Sequence, residues 1–282
     1  MFEQLVTLAA RDRRIEFTMN LDPEIQPDIF MLENFSQGIC YEREVAWLMF
    51  RALQEGDIAI DVGANIGFFS MVMARLVGET GKIIAFEPGA NNLPTLYGHL
   101  KDNKISNVEV IEKAVWRCNE DITFFLNSDS RASHSVVDPG LFLCNPKSKL
   151  SPKQTKIKAI SLNTALADVD CRKIKLIKID TEGADQDVLE GAAAILDWHP
   201  PYIAAELNPA GMKELGHDTE DFRAFMRQFG YDLFLLSSSD GVPVFVPKNT
   251  RLSYIDDFVV ANGLFSTLDD VAKLWPETLA NV

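Results

Sequence analysis

Only four cysteines occur in the 282 residues, at positions 40, 118, 144 and 171, with no CxxC pair among them. Neither a disulfide framework nor a cysteine-built zinc site is indicated, and reduced thiols in a cytoplasmic protein are expected. Positive charge is also scarce. Lysine and arginine total 27 against 41 acids, a formal charge of −14, so no basic face for a nucleic-acid partner is expected. No apolar run approaches the ~18 residues of a membrane span. The opening "MFEQLVTLAARDRRIEF" lacks the basic start, apolar centre and cleavage site of a secretory signal. Internal repeats and low-complexity tracts are absent as well.

What the chain does have is an alternation of strand and helix patterns. "DIAIDV" (57–62), "KIIAFE" (82–87) and "VEVIEKAV" (108–115) are short, β-branched and bounded by turn residues, and the strand pattern resumes in "IKLIKID" (174–180), "YIAAEL" (202–207) and "YDLFLL" (231–236). Helical patterns fall between them at about 66–77, 91–102, 184–196 and 218–229. In 184–196 the apolar residues Val188, Leu189, Ala192, Ile195 and Leu196 share a face, and Asp185 and Glu190 are expected to point away from it. Repeated β-α-β units imply an α/β fold, a doubly wound and mostly parallel sheet of Rossmann-like type. Residues 1–55 read as a helical N-terminal cap, ending in the helically spaced "YEREVAWLMFRAL", and 56–282 as the main domain. Residues 127–158 read as a long polar insertion, expected to fold over the site.

The stretch "AIDVGANIGFF" (59–69) carries the first functional signal. Gly63 and Gly67 bracket a turn between a strand and a helix, a place where ligands approach the backbone. A dinucleotide fingerprint, GxGxxG, fails here because Asn65 and Phe68 occupy its second and third glycine positions. An NAD-dependent oxidoreductase is therefore the weaker alternative. A P-loop is excluded because no GK[ST] follows the turn. A ligand with a ribose and an amino-acid part remains. Glu87, ending "AFE", can accept hydrogen bonds from both ribose hydroxyls, while Asp61 and the backbone at Gly63 can face an ammonium and a carboxylate. S-adenosylmethionine has these parts.

Taken together, "YE" (41–42), "GDIAIDVGANIGFFS" (56–70), "IIAFEP" (83–88), "VEVIEKAV" and "IKLIKIDTEGADQDVLEGA" (174–192) resemble the FkbM family of S-adenosylmethionine-dependent methyltransferases. The "KIDTEG" to "VLEGA" segment is the most specific part. The resemblance implies methylation of a hydroxyl on a sugar, glycan or polyketide-like acceptor, which could be attached to a carrier or a nucleotide. It implies that Asp61, Gly63, Asn65, Gly67, Glu87, Ala114 and Asp180 contact the cofactor, and that Tyr41 and Glu42 contact cofactor or substrate. One position departs from the pattern: Asn163, in "ISLNTAL", stands where the family has Asp.

The remaining candidates follow from chemistry. Asp180 and Glu182 flank a turn into a helix, where acids serve as caps or as site groups. Glu206 and Asn208 end an apolar strand, where a carboxylate needs a partner, solvent or a substrate. His134, in the polar insertion, is the histidine best placed for a substrate, and the lysines at 147, 149, 153, 156 and 158 could steer an anionic one. Asp180 and Glu206 are the candidates for the base that activates the acceptor hydroxyl. A bound divalent metal such as magnesium could instead lower the hydroxyl's pKa, and no metal ligand is singled out. Oligomeric state is not legible. A cofactor-binding module without catalysis is the rival from another class.

Overall fold

A computed structural model of the chain describes residues 1–126, 135–136, 153–237, 239–250, 252 and 260–276. It corrects the expected helical lead-in at its first step. Residues 2–21 form an antiparallel hairpin, β1 (Phe2–Ala10) and β2 (Arg13–Leu21), turning at Arg11 with a positive φ. The cause is visible in the sequence: Ile15, Phe17, Met19 and Leu21 alternate inward with period two. Two helices then follow, α1 (Asp28–Ser36) and α2 (Arg43–Ala52), the second burying Val45, Leu48, Met49 and Ala52 as its spacing predicts.

The alternation of the centre is realised in β3 (Ile58–Val62), α3 (Phe68–Val77), β4 (Lys82–Phe86), α4 (Leu93–Asp102) and β5 (Val108–Ile111). The run "VEVIEKAV" splits. Its last residues form β6 (Ala114–Val115), which joins β7 (Asp121–Leu126) and β8 (Lys153–Ile160) in a separate three-stranded sheet. Residues 153–158, expected within the insertion, thus belong to a strand. After the short α5 (Leu162–Ala165) come β9 (Ile174–Ile179), α6 (Asp185–Glu190), α7 (Ala193–Leu196) and β10 (Tyr202–Leu207). The helix expected over 184–196 is broken between α6 and α7. The chain continues through α8 (Pro209–Glu214), α9 (Thr219–Arg227), β11 (Asp232–Leu236), β12 (Pro243–Phe245), β13 (Ala261–Ser266) and α10 (Leu268–Leu274).

The main sheet has the order β12-β11-β13-β10-β9-β3-β4-β5. β3, β4, β5, β9 and β10 are parallel, and β13 runs antiparallel between β10 and β11. From β3 the chain moves to one side through β4 and β5, then returns to fill the other side with β9 and β10. The order therefore reverses between β3 and β9. Both faces are covered, as a parallel sheet requires. The hairpin, α2 and α3 bury Phe17, Leu48, Met71 and Val72 against one face, where Ala59, Leu176 and Ala204 point. Val188, Leu189, Phe222 and Met226 bury the other, where Ile60, Ile177 and Ile203 point. No helix among the described residues is long and apolar enough to cross a membrane.

Candidate functional site

A cleft opens at the carboxyl ends of β3, β4, β9 and β10, beside the reversal of strand order where open α/β sheets take ligands. It encloses about 860 Å³, open solvent at its mouth included, a size suited to a small molecule. Gly63, Asn65, Glu87, Ala114 and Asp180 line it, and so do Tyr41, Glu42, Glu182 and Glu206. The structure thus gathers nine sequence-predicted positions, from six separate segments, on one cavity.

The glycine turn is built differently from expectation. Gly63 has φ +79°, and a Cβ placed on it would collide with the carbonyl oxygen of Asp180. The close approach that demands glycine is therefore made by the protein's own backbone. Gly67 caps α3 with φ +90°, packs against Leu96 and does not reach the cleft. Asp61 does not line it either. Its carboxylate is fully buried, accepting a hydrogen bond from Ser70 Oγ at 2.5 Å. Burial raises the Asp61 carboxyl, against the pull of Lys178 and Ser70.

Asn65 and Glu87 form the cofactor side. The Asn65 N–H donates to Glu87 Oε2 at 2.8 Å, and the Gly89 N–H donates to Glu87 Oε1 at 2.7 Å. Asn92 Nδ2 adds a third bond at 3.3 Å. Burial pushes the Glu87 carboxyl up to about 7, although these three donors pull it down. The side-chain oxygen of Asn65 is buried in the cleft wall without a protein partner. Such an acceptor fits a ligand that brings its own donors.

The other side is a cluster of carboxylates. Glu42 stands before α2 with φ +39°, and burial and then Asp180 push it up to about 7. Tyr41 beside it packs edge-on to Phe68, ring centroids 5.6 Å apart, and burial and then Glu42 raise its hydroxyl well above the ordinary range. Burial, then Asp180, Glu182, Asp185 and Glu42, raise Glu206 well above the usual carboxylate range. Asn208 lies just outside the lining. Its Nδ2 donates to Glu182 Oε2 and Glu206 Oε2, each at 3.3 Å, while its oxygen caps α8 through the Gly211 N–H. Glu182 itself has φ +59°, and the following Gly183 lies against Gly211 so closely that neither position admits a Cβ.

Two residues that position this cluster escaped the sequence reading. Asp185, expected to point away from the core, is buried. It accepts from Thr181 Oγ1 and from the Glu206 N–H, both at 2.8 Å, and so ties the turn after β9 to the end of β10. Its signal was absent because its partner lies on another strand. The second is Lys178, an interior lysine of "IKLIKID" that reads as ordinary strand polarity. His134, Lys147 and Lys149 lie outside the described residues. Of the insertion, Ser135 and Val136 line the cleft, and Ser135 exchanges backbone hydrogen bonds with Phe125. Lys153, Lys156 and Lys158 are exposed on β8 and do not line it. Asn163 sits in α5, also off the cleft, its side-chain oxygen buried without a protein partner.

A doubly wound sheet with a small-molecule cleft at its carboxyl edge, an acid just after β4 and no dinucleotide glycines defines a Rossmann-like methyltransferase architecture. The Methyltransferase FkbM domain matches residues 61–233, and the chain belongs to that family. S-adenosylmethionine is the cofactor of this domain. Over 142 residues the chain is 25% identical to Methyltransferase 1 of Beauveria bassiana (strain ARSEF 2860), covering 47% of this chain and 57% of that protein. It therefore spans little more than half the length of this curated relative. Among solved structures, an FkbM methyltransferase of Methylobacillus flagellatus KT is similar at TM-score 0.47 and 16% identity, covering 77% of this chain and 47% of that one. A putative methyltransferase of Streptococcus mutans in complex with SAH is similar at TM-score 0.45 and 13% identity, covering 80% and 97% respectively.

Proposed function

We propose that the protein transfers a methyl group from S-adenosylmethionine to a hydroxyl of a sugar, glycan or polyketide-like acceptor. The observation that carries this reading is the pair Asp180 and Glu206, which line one cleft from the ends of adjacent parallel strands. The cofactor, when bound, supplies an electrophilic methyl on a sulfonium. Glu87 would hold its ribose hydroxyls and the Asn65 side-chain oxygen would accept a further donor. The family assignment leaves the nicotinamide alternative without support.

An alcohol is a poor nucleophile until its proton leaves, and a positioned base contributes ~10²–10⁴-fold. Glu206 suits that task by its place on the cleft wall, and burial with its acidic neighbours raises the proton affinity of its ionised form. A carboxylate that prefers to hold a proton is a stronger base than an exposed one. Asp180, across the cluster, would orient the hydroxyl. The cleft wall presents Glu42, Glu87, Asp180, Glu182 and Glu206 against a single cation, Lys113, among the described residues. Carboxylates accept hydrogen bonds from hydroxyls and repel phosphates, so a neutral polyol suits the reacting end better than a nucleotide does.

The test is methyl transfer from labelled S-adenosylmethionine to a panel of sugars, glycosides and polyketide alcohols, each run with and without a chelator. Mass spectrometry should find an added methyl on oxygen. Transfer to nitrogen acceptors alone would refute the hydroxyl assignment. Tight cofactor binding with no transfer to any acceptor class would favour the binding module. Activity lost on chelation and restored by magnesium would move the deprotonating role from the carboxylates to a metal.

A further inference from the structure

Lys178 is 4% exposed, yet its ammonium lies among acids. The sheet register explains how. Asp61 on β3 pairs with Lys178 on β9, and neighbouring strands present paired residues on the same face. That face lies beneath α3, so the lysine extends along it toward the cleft end. There Lys178 Nζ is 3.2 Å from Asp180 Oδ2, donates to the Gly63 carbonyl at 3.3 Å, and lies 3.7 Å from Asp61 Oδ1. The Phe69 ring closes the space from α3, its centroid 5.1 Å from the ammonium. Burial alone would lower the lysine, but Asp180, Asp61 and Glu42 outweigh it and the net direction is up. Lys178 therefore stays a cation.

From this we infer that Lys178 is a positioning residue for the methyl-transfer site, holding the Asp180 side chain as a fixed carboxylate at the cleft rim. The inference rests on the reading of Asp180 as a group that meets the acceptor. The other charged or titratable groups around Asp180 are Tyr41 and Glu42 before α2, Asp61 on β3, Glu206 on β10, Glu182 in the turn and Asp185 on α6. Apart from the tyrosine they are all acids, so Lys178 is the cation of the cluster among the described residues. Without it, Asp180 would face Glu42 and Glu206 with no counter-charge. The acid, left beside Glu42 and Glu206, would then take up a proton. One ammonium also binds three segments, the turn at Gly63, the end of β9 and the buried Asp61, so its grip on Asp180 is set by the same atoms that shape the cofactor turn.

The experiment uses the full chain with Lys178→Met, Lys178→Gln, Asp180→Asn and the Lys178→Met/Asp180→Asn double variant. Infrared spectra at neutral pH are recorded with and without carbon-13 in the aspartate carboxyls, with S-adenosylhomocysteine as the probe ligand. Lys178→Met and Lys178→Gln should each show a new carboxylic-acid carbonyl band that shifts on aspartate labelling and disappears in the double variant. A glutamine keeps a donor for the Gly63 carbonyl but no charge, so its band separates charge from hydrogen bonding. A band that does not shift with aspartate labelling, one that survives in the double variant, or no band at all would overturn the inference. If the single lysine variants do not fold, the comparison is made in an Asp61→Asn background, which removes the other acid that the lysine faces: there the added Lys178→Met should show the band and the added Lys178→Met/Asp180→Asn pair should not, and the same spectrum in both overturns the inference. Once an acceptor hydroxyl is identified, Lys178→Met should lower kcat by ~10²-fold or more, the scale of a lost proton-transfer group, with KM for S-adenosylmethionine little changed. Full turnover in Asp180→Asn would instead defeat the catalytic reading of Asp180, leaving the infrared assignment intact.

Discussion

Gly63 and the carbonyl oxygen of Asp180 touch across the junction of β3 and β9, with no room between them for a side chain. The Asp180 N–H in turn donates to the Val62 carbonyl at 3.0 Å, so the two strand ends are locked at this point. Gly63→Ala should accordingly lower both stability and cofactor affinity. A positive φ at a residue with a Cβ is strained by ~1–3 kcal/mol, and the clash adds to that. Thermal unfolding together with calorimetry of S-adenosylhomocysteine checks this, and an unchanged midpoint would contradict it.

Glu87 should matter to folding as well as to affinity. Glu87→Gln keeps the shape but replaces a carboxylate that accepts from Asn65, Gly89 and Asn92. A hydrogen bond to a charged group is worth ~1.5–3 kcal/mol, so losing the acceptor proposed for a ribose hydroxyl should lower affinity for S-adenosylmethionine about tenfold or more. Calorimetry measures it. NADH should show no binding to either protein.

Asp180→Asn and Glu206→Gln should each retain cofactor binding while lowering turnover, by ~10²–10⁴-fold where the residue serves as base. The informative comparison is between affinity, measured without acceptor, and kcat, measured with it. Wild-type kcat in both single variants and in the double variant would remove the carboxylate mechanism.

Stability should fall as pH rises through the range below neutrality. Burial raises Asp185 to about 7, although Thr181 and the Glu206 backbone pull it down. Glu42 and Glu87 are likewise raised to about 7, chiefly by burial. Between ~4 and ~7 the folded chain keeps protons on these groups that the unfolded chain has released, so each contributes a negative slope of stability against pH. Melting temperatures from pH 5 to 7.5 should decline, and Asp185→Asn should make the decline shallower while starting from a lower value. An equal slope in the variant would remove Asp185 from the account.

The parallel strands were legible because each is a short apolar run bounded by turn residues, and the glycine turn because its two glycines lie four apart between an apolar strand and a helical pattern. Gly63 was singled out for a close approach to its backbone, and the Asp180 carbonyl makes such an approach. The hairpin of residues 2–21 was missed because a helical pattern at 41–53 was extended backward over a stretch whose period is two. Lys178 was invisible for a deeper reason. Its partner Asp61 is more than a hundred residues away in the chain, and only the β3–β9 register brings the two together. Asp185 was misread because a helix wheel shows which face is apolar, not which face another strand end will cover.

The antiparallel strand β13 lies between β10 and β11, although both precede it in the chain. During synthesis the hairpin of β11 and β12 therefore leaves the ribosome with no neighbour on its inner edge. It stays apart from the main sheet until Ser266 has emerged. Among the described residues, the last strand to be made is the one that joins the two halves of the sheet.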